Sequence, residues 1–406
     1  MAEVERLPPH RVRSLVLLSL SRGLRSFTAG FLNLAFPYLV LEDLHQGVFL
    51  LGLFFAGAAL TTAGLAWGLG RLGTRVALRE TYLIALIPLP IASFLLLDST
   101  NIWVVGIACL LGGFSATGSL AGGGVGGVAQ PLQTSILSAL VPPQERTHMF
   151  SLFAFMNGLL AAVGALVVAF LPFSTIFLLG AGLSLVALLV SVFVEVVPRA
   201  RKGRPAETSR KVIWKFSATG ILNGFSQGLI TPFLIPFFVV VYAIPRTEMA
   251  PFTTASGLAA TFALLLAPLL DRRWGFVPSI TYTRGAAAIL ALLFAFLRYL
   301  PISLAIYLLL PALRVMALPT QTSAMVGMLP AADRAEATGT NQAARLGSAS
   351  GATAFSGWAL GNVSLEVPFV GYALAVLSNI YLYVRFFGWT RPVAAEEKLT
   401  ETPPLD

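Results

Sequence analysis

One cysteine, Cys109, and three histidines, His10, His45 and His148, occur in 406 residues. A single thiol excludes an internal disulfide and a thiolate metal cluster, and the histidines all fall near expected loops. No nucleophile, base and metal-ligand constellation stands at membrane depth, so neither a cofactor, a metal nor an enzyme is expected. Charge is also scarce: 11% of residues are Asp, Glu, Lys or Arg, against 56% hydrophobic, and mean hydropathy is +0.81. Such a composition excludes an ordinary soluble domain. Acids are the scarcer sign, 18 against 27 basic residues, and none lies near the middle of a long apolar run. No GxxxxGK[ST] phosphate loop is present.

What the chain has in abundance is apolar runs of membrane-spanning length. About 20 apolar residues cross a bilayer core as a helix, and only helices or closed barrels satisfy their backbone there. Runs near 15–40, 48–70, 78–97, 102–141, 148–171 and 174–197 are followed by six more near 213–241, 250–270, 277–297, 301–329, 336–361 and 366–388. The two sets are linked by a repeat, PLQTSILSALVPPQER (131–146) and PTQTSAMVGMLPAADR (319–334). One gapless offset pairs Pro131 with Pro319, Gln133 with Gln321, Thr134 with Thr322 and Arg146 with Arg334. These identities fall on proline, polar and charged residues rather than on interchangeable apolar ones. The expected fold is therefore an all-α integral membrane protein of 12 transmembrane helices in two six-helix pseudo-symmetric bundles. The expected units are 1–197 and 213–388, with a basic linker at 198–212 and a disordered tail at 389–406.

Basic residues gather in short loops on the cytoplasmic side of membranes. Arg11, Arg13, Arg71, Arg75, Arg146, Arg272, Arg334 and the linker PRARKGRPAETSRK all fall on one side, and Glu42, Asp43 and Asp98 on the other. Both termini are thus expected to be cytoplasmic in a multi-pass protein of the cell membrane. The net charge of +9 then faces anionic lipid headgroups, and nucleic acid is not an expected partner. The first run is long and interrupted by Arg22 and Arg25, so it reads as a retained span rather than a leader.

Two six-span halves, a basic central loop and the glycine-arginine turn AWGLGRLGTRVAL after the second run together resemble the major facilitator superfamily. The resemblance implies a monomeric alternating-access carrier for a small-molecule substrate, with a coupling ion that these residues do not identify. It also implies a cytoplasmic gate built from acid–base latches, to which Arg71, Arg75, Arg146, Asp271, Arg272 and Arg334 would contribute. The pattern departs at Gly70, which stands where the family usually has aspartate, whereas LLDRRWGF retains Asp271 and Arg272. The fourth-span arginine of many proton-coupled members is replaced by Ala108, and the antiporter glycine-proline signature is absent from FMNGLLAAVGALV. Among the acids, Glu80 is the remaining coupling candidate, although it falls where an interfacial charge is also expected.

The polar residues inside the runs outline a cavity. A charge at a helix centre costs about 2.5–3.5 kcal/mol unless it meets water or a partner. Arg314 stands mid-run between Pro311 and Pro319 and is expected to bind substrate. Arg284 and Arg298 lie near the ends of their run and are expected to snorkel. Asn223, Gln227 and Thr231 occur four apart and form one helical stripe. A second stripe carries Arg22, Ser26 and Asn33, with Arg25 beside it; these arginines either face the cavity or snorkel. The offset of the repeat pairs Asn157 with Arg345, which adjoins Asn341. Each amide either lines the cavity or ties helices together. The glycine-rich stretch at 112–127 either breaks the fourth span or permits close packing. The expected substrate is a small organic anion or acidic amphiphile. Export is favoured because RAEATGTNQAARLGSASGA resembles segments of drug-exporter branches. A multidrug exporter for neutral or cationic compounds is the alternative, and outside the class a sensor or membrane enzyme.

Overall fold

The computed structural model describes residues 9–72, 78–98, 100–114, 127–141, 146–195, 207–329 and 334–388. The expected tail and most of the expected linker fall outside them, as do residues 115–126 of the glycine-rich stretch.

Every regular element among the described residues is helical, as backbone in a medium without water requires. The first run forms α1 (Pro9–Tyr38), which ends in a π turn at Leu39–Asp43, and the second forms α2 (Val48–Leu72). Proline divides the third into α3 (Leu78–Leu86) and α4 (Pro88–Leu95). Pro88 has no N–H to offer the Ile84 carbonyl, and the Ile87 N–H takes that oxygen at 3.3 Å instead. The fourth run is also two helices, α5 (Ile102–Gly112) and α6 (Gln130–Leu140). The Asn101 side chain caps the start of α5, and Gly113, at φ 64°, closes it in the left-handed region that glycine adopts without penalty. The first set ends with α7 (Arg146–Leu166) and α8 (Phe173–Val192).

The second set begins with α9 (Glu207–Ile230), a 3₁₀ turn at Thr231–Phe233 that contains Pro232, and α10 (Leu234–Tyr242). There follow α11 (Arg246–Ala263), α12 (Ala267–Trp274), α13 (Phe276–Phe296), α14 (Leu300–Met316), α15 (Leu318–Gly327), α16 (Arg334–Asn362) and α17 (Val367–Phe387). The tenth run thus breaks at Ala317, two residues before Pro319. Among the described residues ten helical stretches are long and apolar enough to cross a membrane. The two expected spans that fall short of this have physical reasons. Helices α5 and α6 have eleven residues each, about 16 Å, and α16 is long but rich in Ser, Thr, Asn and Gln.

Packing follows the repeat. Helix α1 packs on α7 and α8, as α9 does on α16 and α17. Likewise α4 packs on α5 and α8, as α13 does on α14 and α17. Across the two sets α2 meets α16 and α11 meets α7. Close backbone approaches recur at corresponding crossings. A side chain on Gly30 would begin 1.9 Å from the Ala161 carbonyl oxygen, and one on Gly228 would begin 2.2 Å from that of Ala349. The offset of the repeat carries Ala161 onto Ala349. Small residues let helices approach this closely. At the end where α1 finishes, the Tyr38 hydroxyl donates to the Ile244 carbonyl at 2.8 Å, and the Arg246 guanidinium lies 4.1 Å from the Phe173 ring centre. Trp103, Phe94 and Phe170 are exposed, as side chains facing lipid are.

Candidate functional site

A recess opens between α9, α13, α14 and α17. Asn223 and Gln227 reach it from α9, Arg284 from α13, Arg314 from α14, and Tyr372 and Asn379 from α17. The four-residue spacing puts the two α9 amides on one face, and Gln227 Nε2 donates to Asn223 Oδ1 at 3.4 Å. Asn223 Nδ2 is buried and has no hydrogen-bond partner among the described residues. Thr231, expected on the same stripe, falls in the turn after α9 and does not line the recess.

Arg284 corrects the expectation that it snorkels. It is 4% exposed. Its Nη2 donates to Gln321 Oε1 at 2.9 Å and its Nη1 to Asn379 Oδ1, while Asn379 Nδ2 donates to the Thr219 carbonyl at 2.7 Å. Amides from α15 and α17 therefore hold the guanidinium inside the bundle. Arg314, half-buried, stands with its guanidinium 5.8 Å from the Tyr372 ring centre, a range at which an aromatic face attracts a cation. Arg345 is buried and donates to Gln342 Oε1 at 3.0 Å. The two ion pairs among the described residues, Lys211–Glu207 and Arg298–Glu366, lie at helix ends and do not involve Arg284 or Arg314.

The first set carries a second polar cluster. Arg22 Nη1 donates to Gln133 Oε1 at 3.0 Å, Gln133 Nε2 donates to the Tyr82 hydroxyl at 2.9 Å, and Ser191 approaches the same hydroxyl at 3.5 Å. Arg25 is buried against Tyr82. Ser26 donates to Asn157 Oδ1 at 3.3 Å, which ties α1 to α7. Asn341 Nδ2 donates to the Phe216 carbonyl at 2.5 Å, so this amide ties α16 to α9. Asn33 is half-buried on α1.

The structure therefore brings Arg314, Asn223 and Gln227 together, places Arg25 and Asn157 in or beside the other cluster, and leaves Arg345, Asn33, Thr231 and Asn341 outside the recess lining. Sequence reasoning missed Arg284, Gln321, Tyr372 and Asn379. The repeat already singled out Gln321, and Asn379 is an amide in an otherwise apolar run. Glu80 is exposed near the start of α3, and Arg272 is exposed on α12. The side chains of Arg71, Arg146, Asp271 and Arg334, and the whole of Arg75, lie outside the described residues. Among the described residues no group of His, Cys, Asp and Glu could hold a metal. The recess thus combines guanidinium groups with one amide donor, Asn223 Nδ2, that has no partner among the described residues.

Three solved structures share the fold. The human organic anion transporter MFSD10 (TETRAN) superposes with a TM-score of 0.71 at 14% identity, over 92% of this chain and 99% of that one. A D-xylose-proton symporter gives 0.70 at 15%, over 94% and 98%, and the nucleoside transporter NupG gives 0.64 at 16%, over 94% and 100%. No curated protein sequence matches. The sequence model of the Major Facilitator Superfamily matches residues 18–353. That match spans most of the chain and agrees with its helical packing: the protein belongs to the major facilitator superfamily of membrane transporters.

Proposed function

We propose that this carrier moves a small organic anion across the cell membrane by alternating access, and that Arg314 binds its acidic group. The single observation that carries the reading is the pairing of Arg284 and Arg314, which no acid among the described residues neutralises, with the unused buried donor of Asn223. Buried charge without a counter-charge is costly, and a bound anion supplies one. The broader architecture we take with it is twelve spans in two units, 1–197 and 213–388, joined by the linker 198–212, with both termini cytoplasmic. Matching contacts in the two helix sets support the two units, and the basic loops support the orientation. Export is the direction we assign, on the resemblance of the segment at 334–352 to drug exporters.

The experiment is a thermal-shift screen of the detergent-purified protein with anionic, neutral and cationic solutes, repeated on Arg314→Ala. A ligand stabilises the state that binds it. Stabilisation by anions that disappears in the variant is the expected result. Shifts unchanged by the substitution, or seen only with lipophilic neutral and cationic compounds, would replace the anion site with a multidrug site.

A further inference from the structure

We propose that the glutamine repeated in the two halves marks an anion subsite in each, so that the carrier takes a substrate with two acidic groups. This inference rests on the anion-carrier reading above and extends it to the first half of the chain.

Gln133 and Gln321 hold the same place in the two copies of the repeat, on α6, which begins at Gln130, and on α15, which begins at Leu318. Both are buried. Each accepts a hydrogen bond from an arginine, Gln133 from Arg22 at 3.0 Å and Gln321 from Arg284 at 2.9 Å. The arginines come from different places, α1 in one half and α13 in the other, so the shared element is the acceptor. The surroundings match too. The offset that pairs the glutamines also pairs Ser191 with Asn379, and these two complete the clusters, Ser191 on Tyr82 and Asn379 on Arg284.

The chemistry explains why an amide stands at these positions. A glutamine oxygen orients a guanidinium through one N–H without cancelling its charge, whereas a carboxylate would do both. The arginine is left charged and with donors to spare. A buried donor with no hydrogen-bond partner among the described residues stands in each half, on the arginine itself (Nε of Arg22) in the first and on Asn223 (Nδ2) in the second. Gln133 and Gln321 are thus positioning residues, and each half holds an amide-bonded guanidinium together with a buried donor that lacks an acceptor among the described residues. One acidic group satisfies one half. A dianion satisfies both.

The test measures affinities of the full-length protein in detergent for straight-chain α,ω-dicarboxylates of increasing length and for their monomethyl esters. It compares wild type with Gln133→Glu, Gln321→Glu and Arg22→Gln. At one chain length the diacid is expected to bind about tenfold or more tightly than its monoester. Gln133→Glu, which neutralises Arg22, should bring that ratio to about one, and Arg22→Gln should do the same should Gln133→Glu fail to fold. Gln321→Glu should weaken diacid and monoester together. Asparagine at position 133, an amide one methylene shorter, should recover part of the preference that glutamate abolishes. A ratio near one at every length in wild type, with both ligands bound, would remove the first-half subsite and leave the anion site of the second half standing. So would a ratio that Gln133→Glu and Arg22→Gln leave unchanged in folded protein. Absence of binding by diacids and monoesters alike would overturn the anion-carrier reading itself.

Discussion

Replacing Gly30 or Gly228 by alanine tests whether the two helix sets are built on one plan. The new methyl would start 1.9 Å from the Ala161 oxygen in the first case and 2.2 Å from the Ala349 oxygen in the second, against the 3.4 Å at which ordinary contact begins. The helices must therefore part locally by more than 1 Å in each case, and the obstructing atom is backbone, which cannot swing aside. Overpacking of this kind costs about 1–3 kcal/mol, and alanine's better helix propensity returns about 1 kcal/mol at most. Gly182 and Gly285 serve as controls, because a methyl there meets nothing within 4 Å. Alanine at either should leave stability unchanged or raise it by about 0.5–1 kcal/mol. Heating followed by size-exclusion chromatography separates the classes. Gly30→Ala and Gly228→Ala should both aggregate at lower temperature than wild type, and by similar margins. Survival of either at the control temperature would contradict the equivalence of the α1–α7 and α9–α16 crossings.

Two further outcomes follow from single residues. The Glu366 carboxyl is held below the usual carboxylate range by a hydrogen bond from Ser364, by its own backbone and by the Arg298 guanidinium. A depressed pKa contributes stability above the ordinary value and loses it as the pH falls through the folded one. The stability gap between wild type and Glu366→Gln should therefore be present near neutral pH and shrink as the pH falls below the ordinary carboxylate range; a gap independent of pH would remove the ionised pair. Cys109 is fully buried with Sγ 3.5 Å from the Phe54 carbonyl. A maleimide should leave the native protein unlabelled and modify it once denatured, and rapid native labelling would place α5 wrongly.

Much of the fold was legible because apolar runs of spanning length leave the backbone little choice but helix. The repeat of polar residues falls on α6 and α15, which hold matching places in the helix order. The breaks were harder to read: Pro88, Pro232 and Pro319 interrupt helices that hydropathy draws as continuous, because hydropathy records burial and not the missing N–H. At the candidate site, Arg314 was legible as a basic residue inside a long apolar run, although it stands in the last turn of α14 rather than at mid-helix. Arg284 was not, since its position near a helix end suggested snorkelling, and what holds it inside is a pair of amides, Gln321 and Asn379, on helices distant in sequence. Depth is a property of one segment, whereas partnership depends on how several segments pack. Asn157 and Asn341 show the same limit, for both bond to neighbouring helices where the pattern alone suited a cavity equally well.

The most direct test of the account is counterflow in liposomes. Vesicles containing the purified protein are loaded with the organic anion that gives the largest thermal shift and diluted into a trace of the same anion carrying a label. Wild type should accumulate label transiently above equilibrium, and Arg314→Ala should not. Equal counterflow by the two proteins, or counterflow seen only with a lipophilic cation or neutral compound, would contradict an anion site centred on Arg314.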